Sequence, residues 1–501
     1  MTTAVAINPE ILDQYALAPQ TRAFLAGPLG HYIDGEDVQS ASGETMVVHD
    51  PSSGVAFACV AVGGAAEVDR AAQSARRAFE DGRWHAVAPH EKERILHRLA
   101  DLIQENRAVF KDLDALEGGV TGSHSDFSIQ YATDIITYYA GWPTKIQGGI
   151  PPTQSDFVVM EVREPIGVCG VIFPWNGPSC VPLGVLPPLA CGNSVVFKPA
   201  EQTPLAALFF ARLCREAGVP DGVVNVVQGY GATAGAAVVA HGQIDAISFT
   251  GSVETGKIIQ AGAAATLKRV SLELGGKSPQ IIFADADLDR AVPTAAGAIF
   301  GHSGQICVAG SRILVQRSIY PEVVERLRGA ALGIQVGSAF DEATTMGPLI
   351  SQQQLERVSG YVGIGKADGA RLVTGGKKIG AGGYFHEPTI FADVSNDMKI
   401  AREEIFGPVA SVIPFDSDAE AIAIANDSDY ALAAGVWTRD LARAHRAMQR
   451  IRTGTVWVNT YLQCDASVSY GGLKISGIGR SLGHSSIEEF TQVRSFWVDI
   501  T

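Results

Sequence analysis

The sequence reads as an α/β protein built from two doubly wound domains, and three observations carry that reading. Short apolar runs (VCGVIFPW, NSVVFKP, GVVNVVQG, IDAISFTG) alternate with helix-period stretches such as LAALFFARLCREAG. Strands that are apolar on both faces belong to a parallel sheet covered by helices on each side, the architecture that binds nucleotides at its strand ends. A second alternation begins near Lys277 with SPQIIFAD, DLDRAVPTAAGAIF and SRILVQ, and runs to about VWVNT. At 501 residues the chain also exceeds one ordinary core, given about 100–200 residues per domain.

Ahead of the first alternation, residues 31–60 alternate apolar and turn-forming residues and predict short strands joined by D-G, S-G and P-S-S-G turns. From Ala65 to Arg76, and again from Glu91 to Phe110, apolar residues recur every three or four positions, which predicts amphipathic helices. Segment 144–162, TKIQGGIPPTQSDFVVMEV, reads as a projecting β-hairpin. The boundary between the two α/β units falls near residues 271–276, with no repeat or low-complexity linker to mark it. The final segment, EEFTQVRSFWVDI, reads as a strand without a local partner, and pairing with the hairpin edge of a neighbouring subunit is expected.

Charge and composition narrow the function. Thirty-nine Lys and Arg stand against 53 Asp and Glu, a net charge of −14 spread along the chain, so no footprint for nucleic acid or an anionic membrane is present. A small-molecule partner is favoured. The start, MTTAVAINPEILDQY, lacks a basic region followed by an apolar run, and no apolar stretch reaches the ~18 residues of a membrane span, so a cytoplasmic location is expected. Seven cysteines, widely spaced and without a C-x-x-C pair, point to reduced thiols and no metal site.

Two glycine-rich turns are placed to approach a pyrophosphate. Gly229-Tyr-Gly231-Ala-Thr-Ala-Gly235 follows VVNVV, but its third glycine is one place late for the dinucleotide fingerprint and no acidic residue stands clearly ~20 positions on. SFTGSVETGK, Ser248 to Lys257, follows a strand and opens a helix, where free N–H groups favour phosphate; Ser252 would equally serve as a plain helix cap. Cys307 lies in GHSGQICVAGSR, a turn of small residues between a helix and a strand, which suits a nucleophile that substrate must reach. An inert buried thiol is the competing reading. Glu273 in SLELGGKSP has apolar neighbours and two glycines, surroundings that raise a carboxylate pKa toward general-base work, unless it is a charge at a strand end. Asn176 in FPWNGP directly follows a buried-type strand, where its amide could donate to an oxyanion or simply form the turn.

In chain order, FPWNGP, PPLACGNSVVFKPAEQTP, FTGSVETGK, LELGGKSP, GQICVAGSR, EEIFGPV and YGGLKISGIGR resemble the motifs of the aldehyde dehydrogenase superfamily, from the YIDGE region to SGIGR at 476–480. The resemblance implies the family fold: a Rossmann-like NAD-binding domain of residues 1–143 and 163–272, a catalytic domain of 273–482, and a small β oligomerisation element of 144–162 and 483–501. It implies a thiohemiacetal on Cys307, its oxyanion held by Asn176 and the Cys307 N–H, hydride passing to nicotinamide, and Glu273 activating water to hydrolyse the thioester. It further implies that Lys198 and Glu201 bind the adenosine ribose, that Trp175 and Ser252 line the phosphate region, and that Glu404 and Phe406 position the nicotinamide ribose and ring. Ile172, Phe173, Gly231, Gly251, Gly256 and Leu274 complete the implied cofactor set. Glu201 would repel a 2′-phosphate, which favours NAD while leaving NADP open. The implied assembly is a homodimer or a homotetramer.

Where many relatives carry a lysine about nine residues beyond the oxyanion asparagine, this chain reads SCVPLGVLPP, and Ser481 stands where they carry a glutamate after the SG-x-GR arginine. Loss of both charges implies a different proton relay. Gly177 replaces an aromatic residue that lines the aldehyde tunnel in many relatives, which implies a wider passage for bulky apolar, aromatic or terpenoid aldehydes unless another side chain fills the gap. Ile306, Val308, Cys464 and Tyr470 would line the same tunnel. A CoA-acylating dehydrogenase is the alternative, against which the presence of Glu273 counts; a thiol esterase without a redox step is another, against which the cofactor motifs count.

Overall fold

The computed structural model describes residues 7–501, and the first six residues of the start read above lie outside it. Its two main sheets are both doubly wound. The first runs Glu36–Val38, His31–Ile33, Val224–Val226, Ser194–Lys198, Val168–Ile172, Ala246–Thr250, Arg269–Glu273, Gly477–Ile478, with a parallel centre and antiparallel edges. Successive side chains of a strand point to opposite faces, and here they enter different cores. Cys169 and Val171 face one apolar cluster while Val168 and Ile172 face another; Val195 and Phe197 likewise oppose Val196. The second sheet runs Arg371–Thr374, Thr389–Ala392, Val409–Phe415, Arg312–Gln316, Pro279–Ile282, Ala433–Trp437, Thr455–Val458. It splits in the same way, Ile281 and Leu314 against Ile282, Ile313 and Val315. Such burial on both sides is why these strands read as unbroken apolar runs.

The strand order positions the site. From Val168–Ile172 the chain winds outward through Ser194–Lys198 and Val224–Val226, then crosses to Ala246–Thr250 and Arg269–Glu273 on the other side. The crevice outside the carboxyl ends of Val168–Ile172 and Ala246–Thr250 is therefore the topological switch point, where ligands of open α/β sheets bind.

Three local expectations need correction. The helical stretch predicted from Glu91 to Phe110 is two helices, Pro89–Glu105 and Arg107–Gly118, broken at Asn106 (φ −102°, ψ 19°), whose Nδ2 donates to the Leu102 carbonyl. The C-terminal strand has a partner within its own chain: Thr491–Asp499 pairs antiparallel with Phe157–Pro165 along its whole length. The predicted hairpin at 144–162 is reduced to a single bridge between Gly149 and Glu161, on the edge of Phe157–Pro165 opposite the C-terminal strand. Among the described residues no helix is long and apolar enough to cross a membrane.

Candidate active site

A cavity of about 1120 Å³ opens at the switch point and extends to the turn that carries Cys307. It is larger than the ~300–1,000 Å³ of a pocket for one small ligand, as a site for two molecules must be. Of the residues singled out in the sequence, Cys307, Glu273 and Asn176 line it, together with Phe173, Trp175, Gly251, Ser252, Leu274, Glu404 and Phe406, and with Gly177, Ile306, Val308, Cys464 and Tyr470. The other five lie behind its walls or beside it. Ile172 is buried in the sheet core, Gly256 packs beneath Leu274, and Gly231 opens a short helical turn, Gly231–Gly235. Lys198 is buried and donates to Glu201 at 3.1 Å.

Each catalytic candidate is fixed by backbone. The helix Leu288–Phe300 stops at a turn in which His302, Ser303 and Gly304 all have positive φ (47°, 55° and 72°), reversing the chain so that Cys307 faces the cavity. Two glycines of LELGGK let this turn close against the end of strand Arg269–Glu273. A Cβ on Gly276 would lie 2.6 Å from the Cys307 carbonyl oxygen, and one on Gly275 would collide with the Glu404 carboxylate. Glu404 accepts from the Gly276 N–H at 3.0 Å. Asn176 donates from Nδ2 to the Gln305 carbonyl at 2.9 Å, so its amide lies over the same turn with a second N–H left to give. Trp175 and Phe406 meet edge to face, with centroids 5.2 Å apart.

Burial governs the electrostatics of the site. Glu273 is 8% exposed, and although the Ser481 hydroxyl and N–H stand near its carboxylate, neither oxygen makes a hydrogen bond of normal geometry. Burial pushes its pKa up to about 8, with Ser481 and the Arg480 guanidinium pulling the other way. Burial likewise pushes Glu404 up to about 7 and the Cys307 thiol up to about 12. The Cys307 Sγ lies 3.3 Å from the Tyr470 hydroxyl. Pro182–Ala190, the helix that follows the Asn176 turn, has no ionisable side chain.

Sequence reasoning missed two groups. His124, Phe127 and Tyr131 line the cavity from the helix Gly122–Ala140, and the His124 ring stacks on His302 at 4.8 Å. Their spacing in HSDFSIQY, one helical face, was the available signal. Asp114 is fully buried and accepts from Ser179 N and Oγ, both at 2.9 Å, and from Ser125 Oγ at 2.6 Å. It thereby ties the turn of Asn176 and Gly177 to the helix that carries His124. A carboxylate between apolar residues in VFKDLDALEGG was its only trace in the sequence.

Fold and cavity together define an α/β enzyme that gathers a buried thiol, a carboxyl group of raised pKa and an amide donor at a topological switch point. The chain belongs to the aldehyde dehydrogenase family, whose match spans residues 38–496, and is an oxidoreductase acting on aldehydes. It is 45% identical to retinal dehydrogenase 2 of Homo sapiens over 94% of this chain and 91% of that one. Among solved structures, the NAD+ complex of an aldehyde dehydrogenase from Bacillus cereus superposes with a TM-score of 0.96 at 43% identity, covering 97% of this chain and 100% of that one. An indole-3-acetaldehyde dehydrogenase of P. syringae, in complex with NAD+ and IAA, superposes with a TM-score of 0.92 at 42% identity, covering 94% and 96%.

Proposed function

We propose that this enzyme oxidises a bulky apolar or aromatic aldehyde to its carboxylic acid with NAD, through a thioester on Cys307. The observation that carries the reading is the convergence on one cavity of Cys307, the Asn176 amide and the unpartnered, buried Glu273 carboxyl. The Cys307 sulfur adds to the aldehyde carbon while the carbonyl electron pair moves onto oxygen, where Asn176 Nδ2 and the Cys307 N–H donate. Bound NAD supplies the hydride acceptor. With the carbon oxidised, the acyl group is held on Cys307 as a thioester. Water then attacks the acyl carbon as Glu273 takes its proton, the C–S bond breaks with its electrons on sulfur, and the acid leaves.

The chain's residues fit the cofactor. Gly251 and Ser252 head the helix Val253–Ala263, whose free N–H groups favour phosphate, and Ser252 Oγ already accepts from Thr255 N. Glu201, oriented by Lys198, presents a carboxylate suited to ribose hydroxyls and hostile to a 2′-phosphate, so NAD is preferred to NADP. Residues 1–143 and 163–272 would then form the NAD-binding domain and 273–482 the catalytic domain, with 144–162 and 483–501 as the oligomerisation element. The ribbon of Phe157–Pro165 and Thr491–Asp499 leaves Val158, Met160, Val162 and Val498 exposed on one face and Val493 and Trp497 on the other, apolar surface that a homodimer or homotetramer would cover. Sedimentation as a monomer at micromolar concentration would contradict that assembly.

Substrate breadth rests on Gly177. Retinal and indole-3-acetaldehyde, the substrates in the names of two relatives, are bulky in the sense that the missing side chain implies. In wild type, kcat/KM followed by NADH formation is expected to be higher for long or aromatic aldehydes than for acetaldehyde, without CoA and with little turnover on NADP. A Cβ at position 177 would meet Cys180 Cβ at 3.3 Å, so a ring there can be seated with a small shift of Cys180 and would project into the passage. Gly177→Phe is expected to lower kcat/KM for aromatic aldehydes by about ten-fold, with acetaldehyde little changed. A wild-type preference for acetaldehyde would overturn the substrate assignment, and a requirement for CoA would overturn the hydrolytic route.

A further inference from the structure

We propose that Tyr470 is a catalytic residue whose hydroxyl donates a hydrogen bond to the Cys307 sulfur and stabilises its thiolate. The inference rests on Cys307 being the nucleophile and concerns how a thiol in this pocket becomes reactive. The Tyr470 oxygen lies 3.3 Å from Sγ, and no other hydrogen bond reaches that sulfur among the described residues. The hydroxyl is held there by backbone. Tyr470 N donates to Ser481 O at 2.7 Å and Ser481 N donates to Tyr470 O at 2.8 Å, while the ring packs beside Trp457, Tyr461 and Val308.

The surroundings of the thiol give this contact its importance. Burial raises the Cys307 pKa, and Glu404 from the turn after Lys399–Arg402, Glu273 from its strand end, and Cys464 from the loop before Tyr470 push the same way, while the buried Tyr461 phenol beside it is held protonated. The Tyr470 hydrogen bond is the influence that pulls it down. Direction of donation follows from the phenol's own state. Burial, and the Cys307 and Glu273 charges, hold Tyr470 well above its usual pKa, so the hydroxyl keeps its proton at neutral pH and faces the thiolate as a donor. No proton changes owner in this contact; the hydroxyl stabilises the charged sulfur, as donors to a developing anion do.

The test is the rate of Cys307 alkylation by iodoacetamide between about pH 7 and 9, in the absence of aldehyde and NAD, read from the mass of the Cys307 peptide so that the other six cysteines do not interfere. Tyr470→Phe removes one oxygen and keeps the ring. With the thiol pushed up to about 12, this range lies below its midpoint, and losing one hydrogen bond to a charged group, about one pH unit in that midpoint, lowers the thiolate fraction about ten-fold throughout. Because a more basic thiolate is also more nucleophilic, with a Brønsted slope of about 0.4–0.5, the observed rate is expected to fall about three-fold. Replacing tyrosine by 3-fluorotyrosine, a stronger donor on the same scaffold, is expected to raise the rate, and serves where Tyr470→Phe does not accumulate. An unchanged or faster alkylation in Tyr470→Phe overturns the proposal. Either result would leave NAD-dependent aldehyde turnover standing, whereas absence of that turnover in wild type would count against the enzyme reading and not against this contact.

Discussion

Glu273→Gln is expected to leave a single burst of NADH, about one per active site, followed by turnover slowed about 10³-fold, within the range of about 10²–10⁴ that a positioned general base contributes. Glutamine fills the same volume and cannot take a proton, so aldehyde oxidation proceeds and the thioester waits. Rapid mixing of enzyme, NAD and an aromatic aldehyde, followed at 340 nm, separates the two phases. The pH profile supplies a second check. With burial pushing the carboxyl up to about 8, only its deprotonated form serves as base, so wild-type deacylation should rise with pH through that value. In the glutamine variant this dependence should vanish. Ser481, which pulls Glu273 downward, adds a handle: Ser481→Glu sets a like charge nearby and should displace the wild-type midpoint further to the alkaline side. A profile unmoved by Ser481→Glu would remove Ser481 from the proton path. A burst reduced in step with the steady rate would mean that Glu273 acts before the thioester forms.

What the sequence disclosed and what it hid divide along physical lines. The strands Val168–Ile172, Ser194–Lys198 and Pro279–Ile282 were legible because burial on both faces leaves continuous apolar runs, and the end of the first fixes where Asn176 emerges. Cys307 stood out only in company: its turn of small residues alone fits an inert buried thiol as well, and the motifs around Glu273 and Asn176 were what singled it out. The break at Asn106 was not, since the apolar period passes through it while one side chain bonds back to Leu102. The ribbon of Thr491–Asp499 with Phe157–Pro165 joins segments more than three hundred residues apart, and its largely exposed faces give no burial pattern that could name the partner. The face carrying His124, Phe127 and Tyr131 has the spacing of an ordinary core stripe, and only the fold shows that it borders a cavity. Tyr470 was read as tunnel lining; its hydroxyl's position over a sulfur 163 residues away exists only in three dimensions.

Asn176→Ala should fail in the opposite half of the reaction. Its Nδ2 already donates to the Gln305 carbonyl at 2.9 Å, which uses one N–H and leaves the other to give. In the cavity that Asn176 and Cys307 share, that N–H would serve the oxyanion formed when sulfur adds to the carbonyl. Removing one such donor costs about 10²–10³-fold in related acyl chemistry. The burst of NADH should therefore slow by that factor, making formation of the thioester rate-limiting and abolishing the biphasic trace. The turn itself should survive, because Gln305 N still donates to the His302 carbonyl at 3.0 Å and Ile350 N to Gln305 Oε1 at 2.9 Å. Alkylation of Cys307 by iodoacetamide, which needs no oxyanion hole, should stay within about two-fold of wild type. Asn176→Asp keeps the shape but presents a carboxylate to both the Gln305 carbonyl and the oxyanion, so it should be slower than the alanine variant. A burst of unchanged rate in Asn176→Ala would place the oxyanion elsewhere, against the Cys307 N–H alone. Equal loss of burst and alkylation rates would show that Asn176 holds the nucleophile's turn instead of the substrate's charge.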